Sequence, residues 1–148
     1  MIATDEPTIG KKHALEFECL VTRRPGLVLA MSDAEYCSNL AAFLNRQGFN
    51  VWAASGGVEA ISAYLERTGS VDLLLVDADL PDLPGVSFLR RFKTHFPGVP
   101  CILRVRNPEA AGGDLRTAGA IVVSATISPE SLADYLWELA AFEFLLEA

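Results

Sequence analysis

The chain has 148 residues, 51% of them apolar and 21% charged, which predicts one globular domain rather than a disordered segment. Its net charge of -7 argues against a nucleic-acid surface on this chain. No apolar run approaches the roughly 20 residues that span a bilayer, and no secretory signal is visible, so we expect a cytoplasmic protein without membrane contact. Three widely spaced cysteines, Cys19, Cys37 and Cys101, predict reduced thiols rather than a metal cluster.

Regular patterning begins after an N-terminal extension, which we assign to residues 1–26, and continues through one domain at residues 27–148. The predicted strands are short apolar runs at residues 27–31, 49–54, 71–76, 100–105 and 121–124.

Helical patterns separate these strands. The first helix ends at Gly48, the second opens at Ser55 as a predicted N-cap, and the last begins near Pro129. Residues 107–114 contain two adjacent glycines, which disfavour a helix interior and predict a short or broken fourth helix.

Strands that alternate with helices predict an α/β fold, with a five-stranded parallel sheet covered by helices on both faces. Such sheets bind ligands outside the carboxyl ends of their strands. Asp77 ends the third strand, Asp33 follows the first, and Arg104 and Arg106 lie at the end of the fourth. We therefore expect these four residues to meet at one edge of the sheet.

The stretch VDLLLVDADLPDLPG, residues 71–85, is the most informative in the chain. It is a buried strand that ends in the carboxylate of Asp77 and continues into turn-forming residues. Asp79 and Asp82 follow in the loop, and we expect Asp82 to be a solvated surface residue.

With two further segments, this stretch resembles the receiver domain of response regulators in two-component signalling. The other segments are LAAFLNRQGFNVWAASGGVEAI and the residues Thr117-Ala118-Gly119-Ala120 before the fifth strand. The resemblance implies a flavodoxin-like, doubly wound (βα)5 sheet and a signalling module that is not an enzyme. It also implies a histidine kinase or another signalling protein as partner, and Asp77 as the phosphoacceptor position.

In that family a Mg²⁺ ion is held by an acidic pair after the first strand, by the phosphoacceptor and by a backbone carbonyl. The resemblance therefore implies a magnesium site at Asp33, Asp77 and the backbone of Asp79, with the oxygen ligands that Mg²⁺ prefers. The sequence departs from the pattern, because the acidic pair aligns with Met31 and Ser32, or with Ser32 and Asp33 if the loop is one residue shorter.

Two further positions of the family pattern are lost. The hydroxyl residue after the fourth strand falls on Val105, and the lysine after the fifth falls on Ser124 or Ala125. Because phosphoryl transfer depends on electrostatic stabilisation, these losses favour an atypical receiver that acts by protein contacts. A conventional receiver phosphorylated on Asp77 is the alternative.

Arg104 and Arg106 allow two interpretations. They are two solvated basic residues, or one of them pairs with Asp77 or Asp33 as a counter-ion that replaces the lost lysine or metal. Such a pair would hold the domain in one state without a phosphoryl group.

The last helix carries more apolar residues than one core face needs. Tyr135, Trp137 and Phe144 are its candidate interface residues, for a signalling partner or for a homodimer through this helix.

A different class of function is a small-molecule binder on the same fold, such as a cobalamin-binding domain. Residues 32–36, SDAEY, lack the histidine and glycine of its DxHxxG loop. Within the receiver interpretation, we expect the chain to be either a stand-alone receiver or a piece of a longer regulator.

Overall fold

The computed structural model describes residues 24–107 and 120–147, with the side chains described as far as residue 141. These residues form five strands and four helices. In chain order they are β1 Gly26–Ala30, α1 Ala34–Arg46, β2 Asn50–Ala54, α2 Gly57–Glu66, β3 Leu73–Asp77, α3 Gly85–His95, β4 Cys101–Val105, β5 Ile121–Ser124 and α4 Pro129–Glu147.

The five strands form one sheet in the order β2-β1-β3-β4-β5, and every neighbouring pair is parallel. The predicted doubly wound α/β fold is therefore confirmed. Alternate residues of β1 enter two separate cores: Val28 packs in the core that α2 and α3 cover, and Leu29 in the core that α1 and α4 cover. Burial on both faces explains why β1 and β3 read as continuous apolar runs.

The strand bounds differ slightly from the predicted ones. β3 begins at Leu73 and includes Asp77 as its last residue, so this carboxylate belongs to the strand itself and is held in the sheet register. The predicted N-terminal extension up to residue 23, the segment 108–114 and the Thr117-Ala118-Gly119 motif lie outside the described residues.

The N-terminus of α2 is capped from across the sheet edge. Asp82 accepts hydrogen bonds from the backbone N–H groups of Gly57 and Val58, each at 2.9 Å. The prediction that Ser55 caps this helix is wrong, because its backbone N–H and hydroxyl both donate to Glu59 instead. The expectation that Asp82 is merely solvated is also wrong, because its carboxylate joins the loop after β3 to α2.

Replacing Asp82 by Ala should lower the thermal midpoint at neutral pH, because two N–H groups at the start of α2 lose their acceptor. The bonds from Val58 and Gly57 lower the pKa of Asp82. Its stabilising effect is thus present above the ordinary carboxyl pKa and lost as the pH falls through the lowered value. Thermal unfolding from neutral to acidic pH should show the difference from wild type shrinking in acid. Asp79→Ala, in the same exposed loop, is the control, and an equal loss in both variants would contradict this role.

Trp137 fastens α4 to the end of α1. Its indole Nε1 donates to the backbone oxygen of Gln47 at 2.8 Å, and its ring centroid lies 5.2 Å from that of Phe49. With 4% of its surface exposed, Trp137 belongs to the core, so its assignment as an interface residue is wrong. Trp137 is buried because it supplies the hydrogen-bond donor that the carbonyl of Gln47, at the end of α1, needs. Tyr135 is half-buried, and the side chain of Phe144 lies outside the described part.

Trp137→Phe should lower the free energy of unfolding by about 1–2 kcal/mol, because it deletes the bond to Gln47 and part of a buried ring. Urea denaturation followed by circular dichroism measures the change. Trp52→Phe is the matched control, since Trp52 is only partly buried. A smaller loss for Trp137→Phe than for the control would contradict the anchoring role.

Candidate functional site

A cavity of about 240 Å³ opens at the carboxyl ends of the strands. The four residues that the sequence assigns to this edge all line it: Asp33, Asp77, Arg104 and Arg106. Asp79, from the loop after β3, lines it as well. The parallel sheet brings them together although they come from three different loops and strand ends.

Asp77 and Arg104 form the centre of this site. They are register partners on the neighbouring strands β3 and β4, so their side chains leave the sheet on the same face. Arg104 Nη1 donates to Asp77 Oδ1 at 2.8 Å, and the two side chains are 17% and 11% exposed. Of the two arginines considered as counter-ions, the structure thus places Arg104 on Asp77.

The guanidinium of Arg104 makes two further contacts. Its Cζ lies 4.7 Å from the ring centroid of Tyr36, a cation–π distance, and its Nη2 lies 3.4 Å from the backbone oxygen of Ala125. One side chain on β4 therefore contacts β3, α1 and the loop after β5. Tyr36 had no predicted role at the site, although its place three residues after Asp33 puts it in the first turn of a helix that starts there.

Burial and pairing act in opposite directions on the two charges. Burial raises the pKa of Asp77, and the hydrogen bond and charge of Arg104 lower it without cancelling that effect. Burial also disfavours the charged form of Arg104, but the bond and the charge of Asp77 outweigh it and raise the pKa of the guanidinium. Arg104 is therefore a permanent cation, on which the ionised form of Asp77 depends.

The other charged residues of the cavity have different roles. Asp33 is the N-cap of α1, and its Oδ1 accepts a hydrogen bond from the backbone N–H of Tyr36 at 3.0 Å. Arg106 faces Asp79, with 3.8 Å between Nε and Oδ2 and side chains that are 88% and 75% exposed. An ion pair so open to water contributes little to stability.

Gly85 allows the loop after β3 to fold back behind Asp77. Its backbone N–H donates to the oxygen of Ala78 at 2.9 Å. A Cβ at this position would lie 2.3 Å from the backbone oxygen of Asp77, so a side chain here would displace the strand end. The glycine of the quoted stretch is thus required by close packing.

The residues present do not fit the magnesium site implied by the resemblance. Asp77 Oδ1 is bonded to a guanidinium, Asp33 caps a helix, and Met31 is a fully buried apolar residue. Across residues 24–107 and 120–147, no group of three or more His, Cys, Asp or Glu side chains could hold a metal ion. The side chains of Asp33 and Asp77, with the backbone of Asp79, are therefore a poor fit for a magnesium ion, because Arg104 already supplies the positive charge at Asp77.

Comparison with known proteins agrees with the fold. The family model described as "Response regulator receiver domain" matches residues 28–120, more than half of the chain. This chain belongs to the response regulator receiver domain family. It is thus a receiver domain of the kind found in two-component signal transduction, as its sequence predicts. In the part of the chain that the structure describes, no helix has the length and apolar character needed to cross a membrane.

Individual relatives are distant. The transcriptional regulatory protein ZraR of Klebsiella oxytoca is 27% identical over 77 residues, which are 52% of this chain and 17% of that protein. The regulatory protein VanRc of Enterococcus gallinarum is 35% identical over 71 residues, 47% of this chain and 30% of that protein. The chain therefore spans less than a third of the length of these relatives.

Among solved structures, a response regulator receiver domain protein from Clostridium thermocellum superposes with a TM-score of 0.74. The match covers 82% of this chain and 98% of that one, at 18% sequence identity. At this identity the likeness concerns the fold alone.

Arg104→Gln should raise the pKa of Asp77 further, because the buried carboxylate loses its cation. A folded-state pKa above the unfolded value makes stability fall as the pH rises through the window between the two. The difference from wild type should therefore be smallest in acid, where Asp77 is protonated in both, and should grow to about 2–3 kcal/mol at neutral pH. Denaturant unfolding across this pH range measures the difference. Arg106→Gln should show no such dependence, and a pH-independent loss in Arg104→Gln would contradict the argument.

Proposed function

We propose that this receiver domain signals through protein contacts and that Asp77 is not phosphorylated. The observation that carries the proposal is the 2.8 Å bond between Arg104 Nη1 and Asp77 Oδ1 in a pair that is mostly buried. An internal cation at the phosphoacceptor position gives the domain one stable arrangement without a phosphoryl group.

The chemistry of phosphoryl transfer supports this proposal. A carboxylate that attacks phosphorus needs a free oxygen, and the transferred group needs cations around its oxygens. Here one oxygen of Asp77 is bonded to Arg104, and the buried Val105 falls on the hydroxyl position of the family pattern. In both alignments of the acidic pair, Ser32 replaces one of its two carboxylates. Ala125, at one of the two candidate positions for the lysine, offers its backbone oxygen to Arg104.

The partner in this proposal is a histidine kinase or another signalling protein in the cytoplasm, and the chain itself is neither an enzyme nor a nucleic-acid binder. A homodimer through the last helix is part of the same proposal. The support for it within the described side chains is reduced to Tyr135, since Trp137 is buried and the exposed residues of α4 are polar, three of them acidic: Glu130, Ser131, Asp134 and Glu138.

A conventional receiver is the second candidate function. The position of Asp77 at a strand end, beside a cavity of about 240 Å³, favours it. In that case Arg104 would move to the phosphoryl oxygens and act as the fixed cation that the missing lysine supplies in the family.

Intact-mass spectrometry after incubation with acetyl phosphate and Mg²⁺ separates the two candidates. We expect no phosphoryl-sized increase for wild type, because Arg104 holds Oδ1 of Asp77 and the lysine and hydroxyl positions of the family pattern are lost. A phosphorylatable receiver treated in the same way confirms that the donor is active, and near-ultraviolet circular dichroism confirms that the protein is folded.

Asp77→Ala is the control for the site of modification. An increase in wild type that disappears in Asp77→Ala would refute the proposed function and establish the conventional one. An increase that persists in Asp77→Ala would come from another residue and leave the proposal intact.

A further inference from the structure

The cavity contains an uneven set of charges. Three carboxylates, Asp33, Asp77 and Asp79, face two guanidiniums, so the set has one net negative charge. Arg104 is the buried cation among them and contacts Asp77 directly, whereas Arg106 is exposed and lies 3.8 Å from Asp79. Neutralisation of the negative charge on Asp77 therefore depends on Arg104.

We propose that the guanidinium of Arg104 is a tethered cation in the place of a divalent metal ion at Asp77. The pocket then excludes divalent cations, and neutralising Arg104 converts it into a divalent-cation site. This inference rests on the proposed function, since it explains how the domain keeps one arrangement without an ion or a phosphoryl group.

Three contacts hold the guanidinium where an ion would otherwise bind. Its Nη1 lies 2.8 Å from Asp77 Oδ1, its Cζ lies 4.7 Å from the ring centroid of Tyr36, and its Nη2 lies 3.4 Å from the oxygen of Ala125. A Mg²⁺ ion needs its oxygen ligands at roughly 2.1 Å in octahedral geometry. An ion that close to Asp77 Oδ1 would meet the guanidinium, and the two positive charges would repel.

Loss of the Arg104 charge would leave the pocket with two net negative charges, one of them on a carboxylate that is 11% exposed. The carboxylates of Asp77 and Asp79 line the space that the guanidinium leaves, whereas Asp33 caps α1. A divalent ion held by one or two carboxylates keeps water as its remaining ligands. Burying a charge without a partner is costly, and a divalent ion is the partner that matches two carboxylates.

Binding of Mn²⁺, a paramagnetic ion that takes the same oxygen ligands as Mg²⁺, tests the proposal in amide NMR spectra of the full chain. In wild type we expect no selective broadening of the amides of Ser32, Ala78 and Asp79. In Arg104→Gln we expect these amides to broaden first, with an Mn²⁺ affinity at least about tenfold higher, equivalent to about 1.4 kcal/mol. Arg104→Met, also neutral, should behave in the same way and replaces Arg104→Gln if that variant does not fold.

Two controls separate charge from shape. Arg104→Lys keeps the cation and should exclude Mn²⁺ as wild type does. Arg106→Gln removes a guanidinium that is 88% exposed, and its affinity should stay near that of wild type.

Selective broadening around Asp77 in wild type, at an affinity equal to that of Arg104→Gln, would overturn the inference without reference to any phosphodonor. Folded neutral variants that gain no Mn²⁺ affinity would also overturn it. A mass increase on Asp77 with acetyl phosphate would instead refute the proposed function, so the two failures can be told apart.

Discussion

The site depends on the pairing of one buried carboxylate with one buried cation. β3 is the central strand of a sheet covered on both faces, and Asp77 is its last residue, so the carboxylate begins where the apolar core ends. Burial there raises the pKa of Asp77, and the opposing influence of Arg104 comes from the adjacent strand at 2.8 Å. A buried carboxylate stays ionised only with a cation beside it. That cation can be a free ion or, as here, a side chain of the protein itself.

A cation that is part of the chain has consequences beyond charge. Arg104 cannot diffuse away, and its planar group contacts the Tyr36 ring on α1 and the Ala125 carbonyl after β5 as well as Asp77. A free ion or phosphoryl group would impose such contacts only while it is bound. The contacts of Arg104 are permanent, and they connect the end of β3 to the loop that leads into α4. This arrangement fits a receiver that presents a constant surface to its partners.

The rest of the edge is organised around the same loop. Gly85 lets the chain after β3 turn back against the Asp77 backbone, and Asp82 in that loop caps α2. Asp33 begins α1 on the other side of the cavity. Two of the three acidic loop residues near Asp77 therefore accept hydrogen bonds from helix N-termini, which leaves Asp79 as the acidic loop residue of this edge without such a role.

Much of the fold could be predicted because it follows from local pattern. Apolar runs bounded by turn residues located all five strands to within two residues at each end, and alternation with helices predicted a parallel sheet. The errors occurred where a side chain serves a distant element. Ser55 looked like a cap because it precedes α2, but Asp82 caps that helix from 25 residues away. The apolar pattern of the last helix placed Trp137 at an interface. In the structure its indole N–H donates to the backbone oxygen of Gln47, 90 residues away.

The sequence by itself determined which residues meet at the carboxyl edge, because strand ends in a parallel sheet converge whatever the side-chain details. It left open whether Arg104, Arg106 or neither neutralises Asp77. Only the tertiary structure decided this, through the register that sets Asp77 opposite Arg104 on β4. The physical reason is that residues 104 and 106 share one face of the chain, so only the register can select between them, and this register is set by packing of the whole sheet against its helices.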